Sequence, residues 1–245
     1  MGGFDIIVLS AAGFLAGALN AVAGGGTIFS FSALLAIGVP PVIANATSAT
    51  AVVLGTIASA CASRRELVLI FRATVPLCVI SVVGAGAGTV LLLMSGDRLF
   101  GHLVPWLILL ATALFAAGPR IQRGAERFRL TRLALPLQGI VAVYGGYFGA
   151  GMGVMMLATL GLGFRAGYHE TNAAKNLLSI VIQSVPVAVF LALGLVEARP
   201  ALAIAASSML GGWLGVSATR RIPVPYIRLF VILTGLVLGA WAFLK

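Results

Sequence analysis

Apolar runs dominate the chain. They fall at roughly 4–22, 26–38, 40–62, 67–94, 99–118, 134–149, 153–163, 171–193, 200–219 and 225–244, parted by glycines, prolines or a few charges. Eight of these ten segments are long enough to cross bilayer hydrocarbon as helices, which takes about 20 residues. The other two, GTIFSFSALLAIG and GVMMLATLGLG, are about a dozen residues each and have glycines on both sides. In lipid a spanning segment has to satisfy its own backbone hydrogen bonds, so the pattern predicts helices. The expected fold is an all-α membrane protein with eight long transmembrane helices and two short helices that are broken or re-entrant.

The two short segments are related to each other. With a shift of 127 they align without a gap, and Gly24, Gly26 and Asn45 fall on Gly151, Gly153 and Asn172. Upstream, GFLAG and GIVAVYGG align with a shift of 126. Five segments therefore repeat as five. The division is a first transmembrane repeat at 1–119, a basic linker at 120–133 and a second repeat at 134–245.

Charge bears on how the repeats are oriented. Only 9% of the 245 residues are charged and 60% are hydrophobic, against about 25% charged in soluble domains. Five of the sixteen Lys and Arg lie between Arg120 and Arg132. With that loop in the cytoplasm and the short segments crossing, 13 of the 16 basic residues fall on the inside; with re-entrant short segments only 10 do. The positive-inside rule favours the first version, an inverted pair with both termini outside. The net charge of +10 then anchors loops at a bilayer; no segment is long enough to form a folded basic face for nucleic acid. The N-terminal run carries Asp5 and no basic region, so it is expected to be a retained first span and not a signal peptide. Cys61 and Cys78 sit in apolar contexts and are expected to be small buried side chains.

Small residues recur as GxxxG at Gly13/Gly17, Gly84/Gly88, Gly145/Gly149, Gly211/Gly215 and Gly235/Gly239. In lipid such pairs let helices approach closely, and packing is their expected use.

Candidate chemistry concentrates in HETNAAKNLLSIVIQS, residues 169–184. On a helix Asn172, Lys175, Asn176, Ser179 and Gln183 make one polar stripe. The related span of the first half carries Asn45, Ser48, Thr56 and Ser59, and Lys175 falls on Ser48. A lysine at the centre of a bilayer costs about 2.5–3.5 kcal/mol on insertion scales. Two readings stand side by side. Lys175 snorkels to the cytoplasmic interface, paired with Glu170, or it faces a wet cavity and holds an anion. The glycine clusters AVAGGGT and FGAGMGV interrupt matching spans, a pointer to a transporter site, although simple turns between helices would also explain them. A break exposes backbone amides at the positive end of the next half-helix, and glycine admits close approach. The amides of Gly24, Gly25, Gly26, Thr27, Gly151 and Gly153 would then cradle an anion, with Asn45, Ser48, Asn172, Asn176 and Gln183 as hydrogen-bonding groups and Lys175 as counter-charge. Nothing in the sequence forms a nucleophile–base pair, a metal cluster or a phosphate-binding P-loop. The expectation is a protein that is not an enzyme and carries no cofactor.

GFLAGALNAVAGGGTIFSFSALLAIGVPPVIANATSAT resembles the first repeat of the TauE/SafE sulfite-exporter family, also called the toluenesulfonate uptake permeases. GGYFGAGMGVMMLATLGLGFRAGYHETNAAKNLL is similar to the second. The resemblance covers most of the chain. It implies secondary transport of a small, often sulfur-containing anion such as sulfite, a sulfonate or sulfoacetate, driven by protons or sodium across the bacterial inner membrane. A non-sulfur carboxylate as substrate, or a passive anion channel on the same scaffold, are the alternatives, and room is left for a homodimer. The chain departs from the family's usual pattern at Asn45, in the polar HETNAAKN and in GMG, all within the candidate site.

Overall fold

An apolar chain with few polar partners can satisfy its backbone only locally, and the computed structural model shows helices joined by short turns. It describes residues 2–22, 24–128, 131–163, 167–218 and 224–244. In order these form α1 (Gly3–Val22), α2 (Thr27–Ala36), α3 (Pro41–Ala62), α4 (Arg64–Phe128), α5 (Thr131–Tyr147), α6 (Met152–Gly163), α7 (Tyr168–Ala192), α8 (Ala198–Ala218) and α9 (Val224–Leu244). No strand occurs among the described residues. Large apolar side chains such as Val79, Val83, Met94, Leu202 and Val237 are exposed around the bundle, as a lipid-facing surface requires.

Five described stretches are long and apolar enough to cross a membrane: Gly3–Val22, Pro41–Ala62, Thr74–Leu114, His169–Ala192 and Ala198–Ser217. The third is 41 residues long and is not straight. Gly96, at φ 62° and ψ 176°, breaks α4 into two arms. Gly88 lies against Val143 and Tyr147, and Ala111 against the nearby Gly151, so the chain doubles back between them. The expected segments at 67–94 and 99–118 are these two arms. Residues 120–128, taken for part of a loop from their charges, continue α4 as helix. Arg, Gln and Glu are good helix formers, and one glycine is not enough to stop them.

Small residues set the helix packing. Gly13 meets Ile204 and Ser207, Gly17 meets Ser208 and Gly212, and Gly211 and Gly215 meet Phe14, Ala18 and Ala21. α1 and α8 therefore run side by side in the same direction. α3 joins them: Thr47 accepts a hydrogen bond from the Glu197 amide at 3.1 Å, and the Ser59 hydroxyl donates to the Gly212 carbonyl at 3.1 Å. The first arm of α4 lies on α5 in the same manner, Gly84 on Gly139 and Ala142 and Gly88 on Val143 and Tyr147. Gly235 and Gly239 pack on Thr112 and Leu109, which sets α9 antiparallel to the second arm of α4. α2 folds back along α1, with Gly26 against Ala16, and then pairs with α3 through Ser30 and Ser48 at 2.7 Å.

The cysteines differ from expectation: Cys61 is exposed and Cys78 half-buried. Their apolar setting is the outer surface of the bundle, where lipid takes the place that protein takes in a soluble core.

Gly17→Val should lower the melting temperature of the purified protein, because its side chain would overlap the Ser208 backbone; overpacking costs about 1–3 kcal/mol. Gly86→Val, on the same α4 arm as Gly84 and Gly88 but with open space at its Cβ, should leave it unchanged. Equal effects in thermal melts of the two variants would refute packing by these glycines.

Candidate functional site

α1 and α5 each stop inside the bundle, and each stops by the same device. The Gly24 amide reaches back to the Leu19 carbonyl at 3.1 Å, and the Gly149 amide reaches back to Tyr144 at 3.2 Å. Both glycines have positive φ, 75° and 77°, which side chains rarely adopt and glycine takes freely. Gly25 and Gly151 follow with φ of 110° and 78°. The two breaks touch: a Cβ on Gly24 would lie 2.5 Å from the Gly153 Cα. The N-termini of α2 and α6 thus meet near the same point, as the glycine clusters predict.

Sequence reasoning missed one residue here, Asn20. Its Oδ1 accepts hydrogen bonds from the Gly25 amide at 3.0 Å and the Gly26 amide at 2.8 Å, and its Nδ2 reaches the Thr27 hydroxyl at 3.4 Å. It ties the end of α1 to the start of α2. The signal was a lone amide side chain in an apolar span, a few residues before a glycine break. The amides of Gly25 and Gly26, expected to cradle a ligand, are therefore occupied by Asn20 in this conformation. Those of Thr27 and Gly153 make no hydrogen bond among the described residues.

The carbonyl end of α1 is closed from across the bundle. Lys175 donates from Nζ to the Asn20 carbonyl at 2.7 Å, and Asn172 from Nδ2 to the Ala21 carbonyl at 2.9 Å. A cation suits this position, since the helix dipole leaves partial negative charge at a C-terminus. Lys175 is 1% exposed. Glu170 instead accepts a hydrogen bond from the Gly167 amide at 2.8 Å at the start of α7. The snorkelling alternative, Lys175 paired with Glu170 at an interface, is thus not what the fold shows; α7 turns its polar stripe into the protein, where the broken α1 needs donors.

A void lies between the breaks, lined by Asn20, Gly24, Gly25, Thr27, Thr56, Gly149, Met152, Gly153, Lys175, Ser179 and Gln183. It offers about 10 Å³ to the centre of a water molecule, room for a single water. A second void of the same size shares Thr27, Gly149 and Gln183 and adds Asn45, Gly145, Gly146 and Phe148. Of the remaining predicted residues, Ser48 is held by Ser30, Gly151 packs on Ala111, and Asn176 is fully buried yet lines neither void. Buried oxygens of Asn45, Asn172, Asn176 and Gln183, and the Asn176 nitrogen, find no hydrogen-bond partner among the described residues. Burial without a partner costs about 1–3 kcal/mol per group.

A larger cavity of about 740 Å³ opens elsewhere, at the α2–α3 turn, with Pro40, Asp97, Arg98, His102, Trp106 and Trp241 in its wall. It holds none of the predicted residues. Its size does not make it the site: the unpartnered amides and the buried cation lie at the breaks.

The fold and the breaks define a multi-pass helical membrane protein organised around two interrupted helices whose ends meet. The chain belongs to the sulfite exporter TauE/SafE family, whose sequence profile matches residues 9–242. A "Probable membrane transporter protein" of Haemophilus influenzae is 26% identical over 244 residues, covering 97% of this chain and 94% of its own length. A "Probable membrane transporter protein ORF9" of Sinorhizobium sp. is 25% identical over 170 residues, covering 69% of this chain and 64% of its own length. No solved structure matches the chain.

Asn20→Ala should destabilise the protein by about 1–3 kcal/mol, since it strips the partner from two buried amides. Asn20→Asp should fold, because a carboxylate accepts both bonds. Thermal melts in detergent compare them; a fully stable Asn20→Ala would show that the clamp is dispensable.

Proposed function

We propose that the protein is a secondary transporter of a small anion, with sulfur oxoanions or sulfonates as the favoured class. One observation carries this: a buried lysine with no carboxylate in reach among the described residues, at the meeting point of two broken helices. A buried cation without a counter-ion is costly, and an anion admitted beside Lys175 when the one-water void widens would supply one. Ser179, Gln183, Thr27 and the amides of Thr27 and Gly153, which make no hydrogen bond among the described residues, would bind its oxygens, and the dipoles of both half-helices favour negative charge. The narrow void suits a carrier that closes around its cargo. A passive channel would need a continuous polar path, and the ring cluster of Phe31, Phe100 and Phe148, with centroids 5.3–6.3 Å apart, stands beside the second void.

The inverted arrangement, with eight long helices and two short ones, belongs to the same proposal. Its support is the reciprocity of the packing. α8 of the second repeat lies on α1 of the first, and the matching first arm of α4 lies on α5. Asn172 donates to the end of α1, and its repeat partner Asn45 donates to the Tyr147 carbonyl at the end of α5, at 3.3 Å. Alternating access would come from rocking one repeat against the other.

Lys175→Gln should weaken sulfite binding roughly 10- to 150-fold, the equivalent of about 1.5–3 kcal/mol for a charge-assisted hydrogen bond. Lys175→Arg should fail in part, because a planar fork does not replace a compact ammonium in a closed site. Calorimetric titration of both variants, with melting temperatures alongside, reads the effect; wild-type affinity in Lys175→Gln would remove the lysine from the site. For topology, a reporter active only in the cytoplasm and fused after Lys245 should stay silent in bacterial cells, and strong activity would overturn the inverted arrangement.

A further inference from the structure

The two breaks are alike in backbone, and only one of them is met by a cation. Aligning them on the Gly24–Leu19 and Gly149–Tyr144 hydrogen bonds puts Asn20 on Gly145. The Asn20 carbonyl is met by the Lys175 ammonium. The carbonyls of Gly145 and Gly146 accept no hydrogen bond among the described residues. The repeat-related position of Lys175 is Ser48, whose hydroxyl is taken by Ser30. Thus one half-helix end carries a built-in cation and the other carries none, although the dipole leaves the same partial negative charge at both.

In the second void Thr27, Asn45 and Gln183 are the polar side chains, beside Gly145 and Gly146 and an apolar remainder that includes Phe148 and Phe190. Asn45 and Gln183 are 3% and 4% exposed and keep carboxamide oxygens without a partner. The Asn45 nitrogen is committed to the Tyr147 carbonyl, which fixes its oxygen as the free atom. No residue of this wall carries a formal charge or a proton that titrates near neutral pH, so it offers neither a carboxylate pair for a divalent ion nor a proton acceptor. Its space, about 10 Å³, is that of one water or one dehydrated small ion.

We propose that this void at the end of α5 is a binding site for a small monovalent cation, with Na⁺ as its representative, held by the carboxamide oxygens of Asn45 and Gln183, the Thr27 hydroxyl and the free carbonyls of Gly145 and Gly146. Half-helix C-termini and unwound carbonyls hold such ions well because their dipoles replace the hydration shell. The site stands on its own geometry; only its consequence rests on the transport reading. The two voids share Thr27, Gly149 and Gln183, so an anion beside Lys175 and a cation at α5 attract each other across a low-dielectric wall. Each then raises the affinity of the other by the same factor, which couples the anion to a cation gradient.

The test is equilibrium binding of radioactive sodium to the purified full chain in a choline-based buffer, with and without sulfite. Saturable binding, displaced by unlabelled sodium and weakened roughly tenfold or more in Gln183→Leu, is expected. Gln183 makes no described hydrogen bond, so this variant should fold, and Asn45→Ala gives the same reading from the other side of the void. Sulfite should tighten sodium binding in the wild type and not in Lys175→Gln. Absence of saturable binding in both buffers overturns the site, as does undiminished binding in folded Gln183→Leu and Asn45→Ala. Sodium binding that both variants weaken but sulfite leaves unchanged keeps the site and counts against the sulfite reading instead.

Discussion

A helix that ends inside a membrane protein has carbonyls that no water will reach, and most of this structure follows from how the end of α1 is closed. Lys175 and Asn172 supply the donors from α7, while Asn20 turns back to supply the acceptor for the next two amides. Remove the α7 stripe and α1 would have to continue as helix, since an unsatisfied backbone group in an apolar interior costs several kcal/mol. The glycines with positive φ let the chain turn, but they do not satisfy the backbone. That role falls to side chains from the other repeat, so the break and the packing of the two halves depend on one another.

The same dependence explains why the packing is reciprocal. Close contacts of α1 with α8, and of the first α4 arm with α5, need glycine at the crossings, because a side chain there would meet a neighbouring backbone carbonyl. In lipid, where no hydrophobic force pulls helices together, such close approach and the few hydrogen bonds across it carry the association. The bundle thereby holds the two breaks in contact, with little space left between them. A site so closed has to open for a ligand to enter, and the helices that open it are the ones whose ends form it.

The two breaks differ in their side chains. Backbone geometry at Gly24 and Gly149 is nearly the same, yet Asn20 has no side-chain counterpart at Gly145, and Lys175 replaces Ser48. A symmetric scaffold carrying one lysine has an asymmetric field. The buried side-chain oxygens that lack partners among the described residues, on Asn45, Asn172, Asn176 and Gln183, lie on α3 and α7.

Much was legible in the sequence because it depends on local chemistry. Apolar run lengths gave an all-helical chain, and the glycine clusters gave the breaks after α1 and α5. The three- and four-residue spacing put Asn172, Lys175, Asn176, Ser179 and Gln183 on one face. The extent of α4 to Phe128 was not legible, since charge marks a polar stretch equally well in loop and helix. The surface exposure of Cys61 was missed because an apolar neighbourhood reads alike toward protein and toward lipid. Nor could the sequence say what Lys175 touches. Its partner, the Asn20 carbonyl, is 155 residues away and is a backbone atom that every residue possesses, so no pattern of residue types marks it. Which carbonyls stay uncapped, and that Asn20 instead of a ligand holds the amides of Gly25 and Gly26, was decided only when packing of the two repeats fixed which helix ends face which side chains.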